Sequence, residues 1–340
     1  MLRFVIRRFI WLGFVLLGLC VITFVLSRVV PGDPAALYVG PRARPEQVEK
    51  VRAELGFDKP LYIQFAYYLR DISRGDLGES LRTHRPVITG ILDHLPASLE
   101  LMISAILIAL AAGIPIGVIS AKNENTALDH FSRFFAVAST SLPSFWLAMI
   151  FQIIFFRLLG ILPIGGRLDT VVALMHPIEK ITGFYLIDAL LTGNWTAFKD
   201  AAWHLILPSI TLAAYSTGLI VRMTRSTMLE VLREDYITTA RSVGISENEI
   251  VFVQALRNAL APTLTTAGLC FAYMLIGTFY IEIIFFWPGI GKYITNAILQ
   301  NDYPIIMGVA LLMAVFYVLV NLIVDVLIAV VDPRIRLGKE

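Results

Sequence analysis

The chain has 340 residues, 57% of them hydrophobic and 16% charged, with a formal net charge of +2. An ordinary soluble domain has about 25% charged residues, so the composition excludes that class and indicates an all-α polytopic membrane protein. The small, dispersed charge gives no basis for nucleic-acid binding, and the two cysteines, Cys20 and Cys270, lie inside apolar runs where packing is the natural role.

Six apolar segments approach or exceed the roughly 20 residues a helix needs to cross about 30 Å of hydrocarbon. The first, Phe9 to Val29, follows Arg3, Arg7 and Arg8, but it is longer than a signal-peptide core and no A-x-A site follows it, so it reads as a retained span. Residues 31–95 form a loop with helix signals of its own. Pro45-Glu46 opens a periodic stretch through Leu55 and Gly56 stops it, which predicts a small folded lobe.

The next spans are Ala97 to Ala121 and Phe134 to Phe156, the latter interrupted by Ser139-Thr140-Ser141 and Pro143-Ser144. A loop from Arg157 to His204 follows, with a short interfacial helix expected over Phe184 to Leu191. Leu205 to Val221, Ala259 to Phe286 and Ile305 to Val331 complete the set, and residues 333–340 form a tail. The domain organisation expected is therefore residues 1–30 as tail and first span, 31–95 as lobe, and 96–332 as a five-helix core.

Within that core the stretch 222–258 stands apart. It carries Arg222, Arg225, Glu230, Arg233, Glu234, Asp235, Arg241, Glu247, Glu249 and Arg257. Burying ten charges in lipid would cost on the order of 30 kcal/mol, so the stretch lies in water. It still reads as folded, because Gly244 suits a left-handed helix end and Ser246 with Glu249 forms a capping box. Ile237, Ala240 and Val243 fall on one face of the first short helix, small enough for a partner's groove to close over it.

Counting Lys and Arg in the short flanks gives thirteen on the side of the termini and of residues 222–258, against five on the other. Both termini are then expected in the cytoplasm, with the lobe and the 157–204 loop outside. Ionisable residues, the usual relay sites of ion-coupled pumps, are missing from Phe9 to Leu26, Leu101 to Ala121, Phe134 to Phe156, Leu205 to Val221, Ala259 to Ile281 and Ile305 to Leu322, and Glu282 and Asp325, near span ends, are expected to reach headgroups or partners. A hydrophilic route would have to come from hydroxyls, with Ser139, Ser141, Ser144, Thr211, Ser216 and Tyr273 as candidates. Close helix packing is the competing role for such small polar residues.

No catalytic or metal constellation is present. The Gly-Lys pair in PGIGKYIT lacks P-loop spacing, there is no HExxH, GxSxG or CxxC, and His84, His94, His130, His176 and His204 occur singly. The chain is not expected to hydrolyse a nucleotide or hold a cofactor itself.

Ordered strings run the length of the chain: PGDP at Pro31, GDLGES at Gly75, LPASLEL at Leu95, HLILPSITL at His204, RMTRSTMLEVLREDYITTARSVG at Arg222, ALRNALAP at Ala255, WPGIG at Trp287, DYP at Asp302 and DPRIR at Asp332. In these the chain resembles the membrane permease subunits of binding-protein-dependent ABC importers of the dipeptide, oligopeptide and nickel group, most of all the first permease subunits of the dipeptide branch. The resemblance implies that Asp235, Tyr236, Ile237, Thr239, Ala240, Arg241, Val243 and Gly244 couple the permease to an ATPase. Thr238, Thr239, Ala240 and Gly244 align with the family's Glu-Ala-Ala...Gly pattern, whose acidic residue is absent here. It also implies a second similar permease, two ATPase subunits that bind ATP and Mg, an extracytoplasmic substrate-binding protein, and lipid of a bacterial or archaeal inner membrane around the spans. Substrates open to such a chain include dipeptides, longer peptides, nickel chelates, haem-like compounds and antimicrobial peptides. A six-helix secondary transporter or channel without a motor is the alternative, and the nearly charge-free spans speak against it.

Overall fold

In the computed structural model, the structure describes residues 13–25, 35, 39, 44–54 and 56–331, apart from the side chains of 54 and 324–331. Helix is the only regular structure among them: α1 Gly13–Val25, α2 Pro45–Glu54, α3 Leu61–Ser73, α4 Val87–Lys122, α5 Ala127–Ser141, α6 Ser144–Leu158, α7 Thr170–Met175, α8 Tyr185–Leu191, α9 Trp195–Val231, α10 Asp235–Ser242, α11 Glu247–Ile284, α12 Ile290–Leu299 and α13 Tyr303–Val331. Four helices, α4, α9, α11 and α13, are long and apolar enough to cross a membrane, and the pair α5 and α6 makes a fifth span if its two halves count as one. Residues 9–12 and 26–29 of the first expected span, the Pro31 to Pro34 string, Leu55, the Asp332 to Arg336 string and the 333–340 tail lie outside the described residues.

The described residues fall into two units. One combines residues of Met1–Leu95 with Lys292–Val318, and the other Pro96–Gly291 with Leu319–Glu340. In the first, the Thr23 hydroxyl pairs with the Tyr68 hydroxyl at 2.9 Å and Phe24 meets Phe65 edge-on. The GDLGES turn, with Gly75 and Gly78 at positive φ, is locked by Asp302: Ser80 Oγ donates to its Oδ2 at 2.6 Å and the Leu81 N–H to its Oδ1 at 3.2 Å. The predicted lobe helix is present as α2, and Gly56 stops it at φ +67°.

In the second unit α9 is the central helix, with 72% of its apolar window buried against 33% for α4 and 44% for α11. Small residues let its neighbours approach. A Cβ on Gly218 would strike the Ala136 carbonyl oxygen of α5, and one on Gly113 or Gly117 of α4 would strike Ile220 or Thr224. Such close crossings supply van der Waals contact where lipid removes the hydrophobic incentive for helices to associate.

Besides α4, which starts at Val87 rather than Ala97, three segments differ from the sequence expectation. The span expected over Phe134 to Phe156 is not continuous: α5 and α6 meet at 107°, with Leu142 and Pro143 extended. Proline lacks the N–H for the helix ladder and pushes the preceding residue out of the α region, which produces the break. The 157–204 loop is shorter than expected because α9 starts at Trp195, capped by the Asn194 side chain, which accepts from the Ala197 N–H at 3.1 Å. At its other end α9 continues to Val231, so the polar stretch begins as a helical extension of a span rather than at Arg222.

Candidate functional site

The polar stretch folds as α10 set between the ends of two long helices. A turn at Leu232–Glu234 ends α9, and α10 then runs for eight residues from Asp235 to Ser242. Gly244, at φ +83°, reverses the chain, and the Ile245 N–H returns to the Ala240 carbonyl at 3.2 Å. The Ser246 hydroxyl accepts from the Glu249 N–H at 3.4 Å and opens α11. The capping residue and the left-handed helix end expected from sequence are both in place.

The face expected to meet a partner is divided. Ile237 is fully buried and Ala240 nearly so, and both pack into a cluster with Val118 and Ala121 of α4, Met228 of α9 and Ile250, Val251, Ala255 and Ala259 of α11. Val243, by contrast, is 70% exposed. At 100° per residue Ile237 and Ala240 lie 60° apart while Val243 completes nearly two turns past Tyr236, so one apolar side seats the helix and Tyr236, Thr239 and Val243 form the outward stripe. Tyr236 keeps 41% of its surface exposed, although its hydroxyl accepts from Asn258 Nδ2 at 2.6 Å. The Thr239 hydroxyl turns back to the Asp235 carbonyl at 3.0 Å, and Asp235 is exposed at the helix start.

Two ion pairs and a charge-assisted hydrogen bond tie this assembly to the spans. Arg241 pairs with Glu247 at 2.8 Å across the Gly244 turn, Lys122 donates to Asn248 at 2.8 Å and Arg233 reaches Glu124 at 3.2 Å. Not every charge of the stretch lies in water. Arg225 is bidentate on Asp129, with Nε to Oδ1 at 2.6 Å and Nη2 to Oδ2 at 2.8 Å, and Asp129 is fully buried. Ser120 Oγ and the Asn125 N–H add to the Asp129 shell at 2.7 and 3.0 Å, and Arg133 Nε lies 3.7 Å from Oδ2. An aspartate so surrounded is satisfied without water, which a sequence count of charges does not reveal.

The hydroxyl candidates do not form one surface. Thr211 and Ser216 are buried in α9, where Thr211 donates to the Leu207 carbonyl at 2.8 Å, and Ser139 is buried against Gly218. Ser141 is exposed, Ser144 half-buried and Tyr273 60% exposed. Glu282 does not reach headgroups either. It is fully buried, accepts from Ser98 Oγ at 2.5 Å, and sits where a Cβ on Gly289 would collide with its carboxylate. The side chain of Asp325 lies outside the described ones.

A second buried polar group occupies one helical turn of α4. The Ala97 carbonyl accepts from Trp287 Nε1 at 2.8 Å, and Ser98, besides donating to Glu282, accepts from the Ile290 N–H at 2.8 Å. Glu100 takes Arg167 Nη2 on Oε2 at 2.5 Å and the Leu186 N–H on Oε1 at 2.9 Å. Asp188 holds the adjoining turn by accepting from the N–H groups of Ile181, Thr182 and Gly183 and from the Thr182 hydroxyl. Burial opposes its ionisation, but these donors together keep its carboxyl below the ordinary range. Every partner of the α4 turn is distant in sequence, and the only signal in the sequence is the pair of strings LPASLEL and WPGIG.

Among the described residues no group of three or more His, Cys, Asp or Glu could hold a metal ion.

Residues 113–337 match the family described as binding-protein-dependent transport system inner membrane component, and residues 1–102 match its N-terminal counterpart. The chain is 47% identical over 335 residues to the probable D,D-dipeptide transport system permease protein of Escherichia coli K12, covering 98% of each. It is 44% identical over 337 residues to a di/tripeptide transport system permease protein of Pseudomonas aeruginosa, covering 99% of each. Against a dipeptide transport system permease protein of Alkalihalophilus pseudofirmus it is 40% identical over 336 residues, covering 99% of this chain and all of the relative. The chain belongs to the family of binding-protein-dependent transport system inner membrane components, as a multi-pass permease subunit of an ABC importer. It is not an enzyme, since ATP hydrolysis in this class resides in separate subunits. The motorless transporter is thereby set aside.

Proposed function

We propose that the chain forms half of the translocation pathway for dipeptides or related short peptides, with α10 as the element that docks on an ATPase subunit. The observation that carries this is the seating of α10. One face is packed into α4, α9 and α11 through Ile237 and Ala240, while Tyr236, Thr239 and Val243 remain open. A push on that stripe is delivered to three long helices at once, because interiors packed at crystal-like density transmit displacement. Relatives named for dipeptide and di/tripeptide transport supply the substrate class.

In the assembled importer six spans cross the inner membrane, α1 and the α5–α6 pair included, with both termini and α10 in the cytoplasm. A second similar permease closes the pathway, two ATPase subunits bind ATP and Mg, and an extracytoplasmic binding protein delivers peptide to the lobe and to the loop ahead of α9. Of the hydroxyl candidates, Ser141, Ser144 and Tyr273 retain free surface for the pathway.

The test is uptake of radiolabelled dipeptide into vesicles carrying the full complex and its binding protein. ATP-dependent accumulation that is lost when this chain is omitted is the expected result. Accumulation driven by an ion gradient without ATP would refute it.

A further inference from the structure

The buried turn of α4 points to a role for Arg167 that neither the family nor its relatives' names assign. Arg167 lies in the loop ahead of α7, only 8% exposed, with its guanidinium 3.5 Å above the Tyr185 ring and 5.6 Å from the Trp287 ring. Its Nη2 serves two acceptors, Glu100 Oε2 at 2.5 Å and the Gly183 carbonyl at 3.0 Å. Its Nε is buried without any partner. The loop is stitched to the helices at further points: the Gly166 N–H donates to the Phe285 carbonyl at 2.8 Å, and Gln152 Nε2 bridges the Ile164 and Ile284 carbonyls at 2.9 and 3.0 Å. Glu100, Arg167 and Trp287 thus join α4, the 159–194 loop and the end of α11 in one buried contact.

We propose that Arg167 is a positioning residue that relays the state of this loop to α4 and α11. A purely structural pair would be expected to saturate its donors, and a buried unpaired N–H demands an explanation. A guanidinium that donates from one nitrogen only and lies over the Tyr185 ring can turn in its own plane, trading the one-nitrogen contact for a two-nitrogen fork on Glu100. That gives the contact two arrangements of the kind a conformational relay needs.

The proposal rests on the importer reading, and its test separates the two. In nanodiscs holding the complete transporter, ATP hydrolysis is measured without and with increasing concentrations of peptide-loaded binding protein, for wild type, Arg167→Lys and Arg167→Gln. Lysine keeps the charge at Glu100 but cannot serve Gly183, Glu100 and the Tyr185 face together. The expected result is basal hydrolysis within twofold of wild type and a maximal stimulated rate reduced about tenfold, with half-stimulating binding-protein concentration unchanged. If Gln fails to assemble, Lys alone decides. Wild-type maximal stimulation in Arg167→Lys, or an effect confined to the half-stimulating concentration, would overturn the relay and leave Arg167 as packing or docking surface. Absence of stimulation in the wild-type complex would instead refute the importer reading and remove the relay with it.

Discussion

Replacing Asp129 by Asn removes the charge that Arg225 depends on while preserving shape. Asp129 has no exposed side-chain surface and Arg225 keeps 19%. Deleting one partner of a buried pair costs about 3–5 kcal/mol because the survivor is left uncompensated, whereas an exposed pair is worth about 0–1 kcal/mol. The partial exposure of Arg225 places Asp129→Asn near the lower end, about 3 kcal/mol. The double variant Asp129→Leu with Arg225→Met removes both members of the pair, leaves only the half-exposed Arg133 without its 3.7 Å partner, and should recover most of this. It falls short by roughly 1–2 kcal/mol because Ser120 and the Asn125 N–H lose their acceptor. The assay is a double-mutant cycle of Asp129→Leu, Arg225→Met and their combination by reversible denaturant titration in detergent micelles, with tryptophan fluorescence as readout. A coupling energy of at least about 2 kcal/mol is expected if the pair is buried as the geometry requires. Coupling below about 0.5 kcal/mol would mean that water reaches the pair and would refute the reasoning.

Gly244→Val should strain the φ +83° turn by about 1–2 kcal/mol with no steric clash, since nothing lies within 4 Å of a Cβ added there, so membrane levels stay near wild type while peptide-stimulated ATP hydrolysis by the complex falls at least tenfold. Ala240→Glu behaves differently: its carboxylate would enter the Ile237, Met228 and Val251 cluster, and the loss is one of stability by several kcal/mol, read as lower thermal stability of the purified chain before any ATPase is added. Cysteines placed at Glu247 and Glu46 should react with an impermeant maleimide from opposite sides of the membrane, position 247 from the cytoplasm. Reaction of position 247 from outside would invert the topology.

Much of the fold was legible because apolar run length and polar punctuation act locally. The lobe helix with its Gly56 stop, the helix at Tyr185–Leu191, and the Gly244 and Ser246 devices all stand where sequence places them. Pro143 was visible as a breaker, but the 107° angle depends on what each half packs against. The side of α10 that faces inward was not legible. Ile237, Ala240 and Val243 are all apolar, and only the positions of α4 and α11 decide which two are covered. Glu282 was opaque for the same reason: a carboxylate near a span end is read as reaching headgroups unless its donor, here Ser98, is known to sit beside it, and Glu100, held by Arg167, drew no reading from the sequence at all.

The docking of α10 is tested most directly by thiol-labelling rates at Thr239→Cys, Val243→Cys and Ile237→Cys in a chain with Cys20 and Cys270 replaced, measured in membranes with and without the ATPase subunits. Positions 239 and 243 should label readily alone and be protected at least tenfold by the ATPases, while 237 stays slow in both. Equal labelling of 239 and 243 with and without the ATPases, in a complex shown to be assembled, would contradict the assignment of this helix as the point of contact.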